Sequence, residues 1–306
     1  LDMLFIRNFT GFSGGHLKFL DYLHHTAASG LARPVLYQTP KSRTVPGNIF
    51  NACGIAETPT LHPFPSYFLA GMDWSILDDA AITPGSAPVI NLIQGLRHAE
   101  PATPLFTYLS RPALRICVSP AIADAIRPHA NGPVQIIQNG INLSPLPAPP
   151  PLGSPARILI AGFKNPGLAH TLAANLRGTA EIDLTTEHLP RPEFLSRIAA
   201  ATVCIFLPLE QEGFFLPPLE AMALGHGVIT PDCGGNRAYC RPGENCLMPA
   251  YTAEALTEAA SRLLQNPLLL ARLTAEGLKT AQQLTLDQER SAYISLLSHH
   301  LAERQA

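Results

Sequence analysis

The sequence predicts an α/β protein built from two doubly wound domains. Short apolar runs rich in β-branched residues alternate with amphipathic stretches almost from end to end, the pattern of parallel strands joined by crossover helices. A proline-dense segment at 145–155 divides the chain near its middle. The length, 306 residues, suits two such domains.

In the first half, strands are expected at 4–6, 35–37, 89–93, 115–118 and 134–137, with helices at 15–28 and 120–127. Residues 143–155 then carry Pro145, Pro147, Pro149, Pro150, Pro151 and Pro155, which continue neither a helix nor a central strand and read as a semi-rigid linker. Beyond it, strands are expected at 157–161, 181–184, 203–207 and 228–230, separated by helices at 168–176, 191–200 and 217–224. From 253 to 305 the chain reads as helical, with a break near 284–287. The expected domains are therefore 1–144, a linker at 145–155, a second domain at 156–286, and a last helix at 287–306 that packs back on the first domain.

Composition excludes several classes. With 21 Lys+Arg against 23 Asp+Glu, the net charge of −2 gives no bulk electrostatic pull towards nucleic acid or anionic lipid. A hydrophobic share of 46% and a charged share of 14% exclude disorder. The 30 prolines show no collagen-like period. The longest apolar stretch, 198–209, contains Pro208 and falls short of the ~20 residues of a membrane span. The opening Leu1-Asp2-Met3 lacks the basic start of a signal peptide. Cys233, Cys240 and Cys246 are spaced too widely for paired zinc knuckles, and Cys117 and Cys204 lie in apolar runs. The expectation is a reduced, metal-free cytoplasmic protein.

The segment from Leu207 to Gly225 is the most informative. An apolar strand ends near Leu207, a short loop carries Glu212, and Pro217-Pro218 open a helix that holds Glu220 and stops at Gly225. A helix N-terminus presents unpaired N–H groups and partial positive charge, which suits a phosphate. Carboxylates accept from sugar hydroxyls, so one near the helix mouth and one deeper suit a phosphate flanked by two polyols. On residue chemistry alone, a dipole-complementing Glu220 and a solvated Glu212 remain the simpler alternative.

Glu212-x7-Glu220, followed by Ala221-Met222-Ala223-x-Gly225 and by Val228-Ile229-Thr230-x-x-x-Gly234-Gly235-Asn236, resembles the signature of family 4 glycosyltransferases. The same order of features includes Gly14-Gly15 after strand one, Asn139-Gly140-Ile141-Asn142 before the linker and Gly162-x-Lys164 after the first strand of the second half. The resemblance covers most of the chain and is strongest from Ala156 onward. It implies a GT-B fold, two Rossmann-like domains facing across a cleft, and a retaining, metal-independent enzyme. That enzyme would move a sugar from a nucleoside-diphosphate-sugar, its donor substrate rather than a resident cofactor, to an acceptor hydroxyl in glycan or polysaccharide synthesis. The acceptor is a glycan or a lipid-linked molecule, reached at most by peripheral contact with a membrane.

Carried over residue by residue, the resemblance implies that Glu212 contacts the donor sugar and Glu220 the nucleotide ribose. Gly213, Phe214 and Phe215 offer backbone N–H groups. Gly15 contacts the diphosphate, Lys164 meets its charge, and His98 binds a sugar hydroxyl beside Arg97. Three positions depart from the pattern: Phe163 stands where an arginine is usual, Phe215 where a second glycine is usual, and Asn236-Arg237-Ala238 where a glutamate is usual. A nucleotide-sugar epimerase of the same fold and a non-catalytic binding module are the alternatives. The Asn139-Gly140 pair itself reads as a hinge turn with positive φ.

Overall fold

The computed structural model of the protein describes residues 1–142, 147 and 155–302. Apart from positions 147 and 155, the expected linker lies outside the described residues. The chain divides into two units, Leu1–Asn139 with Asp287–Ala306, and Gly140–Leu286.

In the first unit the chain runs through β1 (Asp2–Arg7), α1 (Gly14–Ser29), β2 (Arg33–Gln38), β3 (Tyr67–Ala70), α2 (Asp73–Asp79) and β4 (Val89–Ile93). It continues through α3 (Pro104–Thr107), β5 (Leu114–Cys117), α4 (Pro120–Ile126) and β6 (Val134–Ile136). The six strands form one parallel sheet in the order β2-β1-β3-β4-β5-β6. Parallel sheets are covered on both faces, which is why Met3, Leu4, Phe5 and Ile6 are all fully buried. Ser13 caps α1 by accepting from the His16 N–H at 3.3 Å, and Gly30 ends the helix with a φ of 66°. The β3 strand corrects the sequence reading, which left 67–70 without an element. It pairs with both β1 and β4 near the middle of the sheet.

The second unit runs through β7 (Arg157–Ala161), α5 (Pro166–Asn175), β8 (Glu181–Thr185), α6 (Arg191–Ala200) and β9 (Val203–Phe206). It goes on through α7 (Leu216–Ala223), β10 (Gly227–Ile229), α8 (Ala253–Gln265) and α9 (Pro267–Gln282). Its sheet is parallel in the order β10-β9-β7-β8. Gly162 ends β7 where a Cβ would stand 2.1 Å from the Ala169 Cβ, so a glycine lets α5 close onto the sheet. Ile141 pairs with the chain before α10 (Leu286–Ala302): its N–H donates to the Leu284 carbonyl and its own carbonyl accepts from Leu286 N–H, both at 2.9 Å. Gly140 does not have the expected positive φ. Its glycine is required instead by close approach, because a Cβ would lie 2.2 Å from the Thr285 carbonyl oxygen.

From residue 287 onward α10 belongs to the first unit and is fixed there by buried charge. Glu289 Oε2 lies 2.6 Å from Lys18 Nζ on α1, and Oε1 lies 3.3 Å from His25 Nε2. Lys18 also pairs with Asp21 at 2.7 Å, and the Thr26 and Tyr293 hydroxyls share a hydrogen bond of 2.8 Å. Among the described residues, no helix is long and apolar enough to cross a membrane.

Removing one partner of a buried ion pair costs about 3 kcal/mol or more when it leaves the other charge uncompensated, but Lys18 keeps Asp21 as a second carboxylate partner. Glu289→Gln is therefore expected to lower the urea midpoint by an amount equivalent to about 1–2 kcal/mol, less than that full penalty. A loss below about 0.5 kcal/mol would show that α10 is held by its apolar contacts instead.

Candidate functional site

In open parallel sheets, the loops beyond the carboxyl ends of the strands are the binding edge. In the second unit that edge brings Lys164 into contact with Glu212 and Phe215, while Gly213, Phe214 and Glu220 lie along the same loop and the helix it opens. The loop between β9 and α7 is clamped at Glu212, whose N–H donates to the Cys233 carbonyl at 2.9 Å. The turn after β10 fits beneath it only because residue 235 is glycine: a Cβ there would lie 2.6 Å from the Glu212 carbonyl oxygen. Asn236 closes this turn, accepting from the Cys233 N–H at 3.1 Å and donating to the Pro231 carbonyl at 2.8 Å. Its buried amide thus has a structural role at the point where a glutamate is usual.

Glu212 Oε1 accepts from the Leu209 N–H at 3.0 Å and from the Lys164 ammonium. The Glu212 side chain is 15% exposed and that of Lys164 is 30% exposed. Lys164 Nζ also stands 5.0 Å from the centre of the Phe215 ring, within cation–π range. The two groups expected to act on sugar and diphosphate are thus joined beside the loop that leads into α7.

Phe215, the residue preceding α7, turns its side chain into the core, edge-on to Phe206 at 6.4 Å. Its carbonyl accepts from the buried Tyr239 hydroxyl. A phenylalanine is accommodated in place of the usual glycine because the ring leaves the loop surface. No side chain caps α7. Pro217 and Pro218 have no N–H, so of the first four helix donors only those of Phe215 and Leu216 exist.

Glu220 is buried, its side chain only 3% exposed, and Arg191 Nη1 at the start of α6 lies 2.5 Å from its Oε1. That contact does not have hydrogen-bond geometry, and Oε1 has no hydrogen-bond donor. An ionised carboxylate at this depth requires the guanidinium as counter-charge. Arg191 is a site residue that sequence reasoning missed, since a basic residue at a helix start reads as a solvated one.

Gly15 and His98 belong to the first unit. Gly15 lies at the start of α1, its carbonyl accepting from the Gln94 side-chain amide at 3.1 Å. His98 sits on a 3-10 turn after β4, with Nδ1 3.2 Å from the Gly95 carbonyl and Nε2 buried without a hydrogen-bond partner. Burial, chiefly, pushes its pKa down to about 4. His16, next to Gly15, is a second residue the sequence reading left out. Its ring packs 4.9 Å from that of Phe9, and burial and then the Arg7 charge lower its pKa to about 4. Arg7 pairs with the buried Asp73 at 3.1 Å. Burial raises the Asp73 carboxyl to about 6 despite that pair. All six cysteines are free thiols.

Residues 148–266 match the family described as Glycosyl transferases group 1. A D-inositol 3-phosphate glycosyltransferase from Rhodococcus erythropolis is 31% identical over 137 residues, covering 42% of this chain and 30% of that protein. An MMP alpha-(1->4)-mannosyltransferase from Mycolicibacterium hassiacum is 31% identical over 125 residues, covering 40% and 30% respectively. The matched segment thus spans 30% of the length of either curated relative. Among solved structures, sucrose-phosphate synthase from Thermosynechococcus elongatus superposes with a TM-score of 0.75 at 15% identity, covering 99% of both chains. Anabaena HepE in complex with UDP-glucose gives 0.75 at 13% identity, covering 97% of this chain and 99% of that one. The fold is GT-B.

A histidine held neutral in the folded state, with a pKa near 4 against an ordinary 6.5, contributes stability that is complete above about pH 6.5. That contribution is lost as the pH falls towards 4, because the unfolded chain takes up the proton first. His98→Gln is expected to flatten the fall in melting temperature between pH 7 and 4.5 relative to the parent. Parallel curves would show that His98 is not held neutral.

Proposed function

We propose that this chain, whose residues 148–266 match the Glycosyl transferases group 1 family, is a retaining, metal-independent glycosyltransferase. It moves a sugar from a nucleoside-diphosphate-sugar to an acceptor hydroxyl in glycan synthesis. The observation that carries this reading is the Lys164–Glu212 contact beside the open N-terminus of α7, with Glu220 buried one turn along the helix. One carboxylate, the cation with the helix mouth, and the second carboxylate suit the parts of an activated sugar in order: sugar hydroxyls, diphosphate charge, ribose hydroxyls.

In this mechanism the leaving diphosphate gains negative charge as the anomeric bond breaks. Lys164 and the N–H groups of Phe215 and Leu216 meet that charge without a metal. At an effective dielectric of ~20, a cation ~4 Å from a phosphate charge is worth about 4 kcal/mol before desolvation. Engaging the phosphate draws Lys164 away from Glu212, which frees that carboxylate to accept from the sugar hydroxyls. Gly213 and Phe214 add backbone N–H groups. The acceptor hydroxyl attacks on the face the diphosphate leaves, and a phosphate oxygen takes its proton. Configuration is retained with no covalent glycosyl-enzyme.

Glu212→Gln is expected to lower turnover about 100-fold or more while changing nucleoside-diphosphate affinity less than threefold. Undiminished nucleotide release in a coupled assay would reject its role. Lys164→Ala is expected to weaken nucleoside-diphosphate binding about tenfold or more by calorimetry, and unchanged affinity would reject the diphosphate assignment. Saturable nucleotide binding without transfer to any acceptor would point to a binding module.

A further inference from the structure

Phe163 stands where the family resemblance implies an arginine, and the mechanism above gives it no part. Of the Phe, Tyr and Trp side chains among the described residues it alone is exposed, at 50%. A phenylalanine half exposed at the binding edge offers a flat apolar face to a ligand there.

The ring is held in place. His188, three residues beyond β8, packs against it edge-to-face with centroids 5.5 Å apart and planes at 79°. Strands β7 and β8 are parallel neighbours, with Ala161 opposite Thr185, so the two rings share one corner of the carboxyl edge. The turn after β7 therefore divides its side chains. Lys164 turns towards Glu212 and Phe215 on the β9 side, whereas Phe163 turns towards the β8 side.

Glu220 fixes the direction of the nucleotide. The carboxylate assigned to the ribose is met by Arg191, the first residue of the helix that follows β8. The diphosphate at the α7 mouth lies on one side of that ribose, and the base, attached at its opposite end, extends to the β8 side. We infer that Phe163, braced by His188, is the stacking face for the nucleobase of the donor. This rests on the proposed function above. Stacking serves any base, because every base has a π-face. An aromatic ring here exchanges a charge contact with the diphosphate for a contact with the base.

Calorimetric titration with UDP, GDP, ADP and inorganic pyrophosphate tests this on the parent protein, Phe163→Ala and Phe163→Trp. The expected result is that Phe163→Ala binds the preferred nucleoside diphosphate about tenfold more weakly, binds pyrophosphate as the parent does, and recovers nucleotide affinity as Phe163→Trp. Equal affinity of the parent and Phe163→Ala for the nucleotide overturns the stacking role and leaves the transferase reading intact. So does an equal loss for nucleotide and pyrophosphate. If the parent binds none of the three nucleotides, both the inference and the reading it rests on fall.

Discussion

The second unit's site depends on how the loop before α7 is clamped against the turn after β10. The Glu212 N–H is tied to the Cys233 carbonyl, and Gly235 fits under the Glu212 carbonyl where no side chain has room. This contact fixes the height of the loop above the sheet. From it follow the meeting of Glu212 with Lys164, the inward turn of the Phe215 ring and the open first turn of α7.

Two glutamates eight positions apart are thereby given different surroundings. Glu212 is half-buried and shares a lysine that is itself partly solvated, an arrangement in which the partners can part at modest cost. Glu220 is enclosed and faces an arginine, whose planar, permanently charged head suits a fixed buried partner. A buried ion pair adds little net stability over apolar packing. Its presence one turn into α7 fits a requirement for charge at that point, which in the proposed reaction is an acceptor for the ribose hydroxyls.

The alternation of strands and helices was legible in the sequence because each parallel strand is an apolar run closed by turn residues. Among the strands the exception is β3, which lies between Pro65 and Gly71. Only a 3-10 turn at Ser42–Thr44 separates it from β2, so the strand–helix alternation that marks the other strands is missing there. The candidate residues of the second unit were legible through the resemblance that Glu212-x7-Glu220 carries, two glutamates on either side of the proline pair that opens α7. Arg191, His16 and the stacking of His188 on Phe163 were not, because their significance lies in partners distant in sequence. The same holds for Gly140 and Gly162, where backbone or a neighbouring helix, rather than φ, excludes a side chain.

The central claim is that a nucleoside diphosphate lies across the α7 mouth with its ribose on Glu220. A calorimetric cycle tests it directly, comparing the preferred nucleoside diphosphate with its 2′,3′-dideoxy analogue on the parent protein and on Glu220→Gln. The account predicts that the parent prefers the ribose form by about tenfold and that the preference disappears in the variant. A preference of the same size in both proteins, or none in the parent, would contradict it.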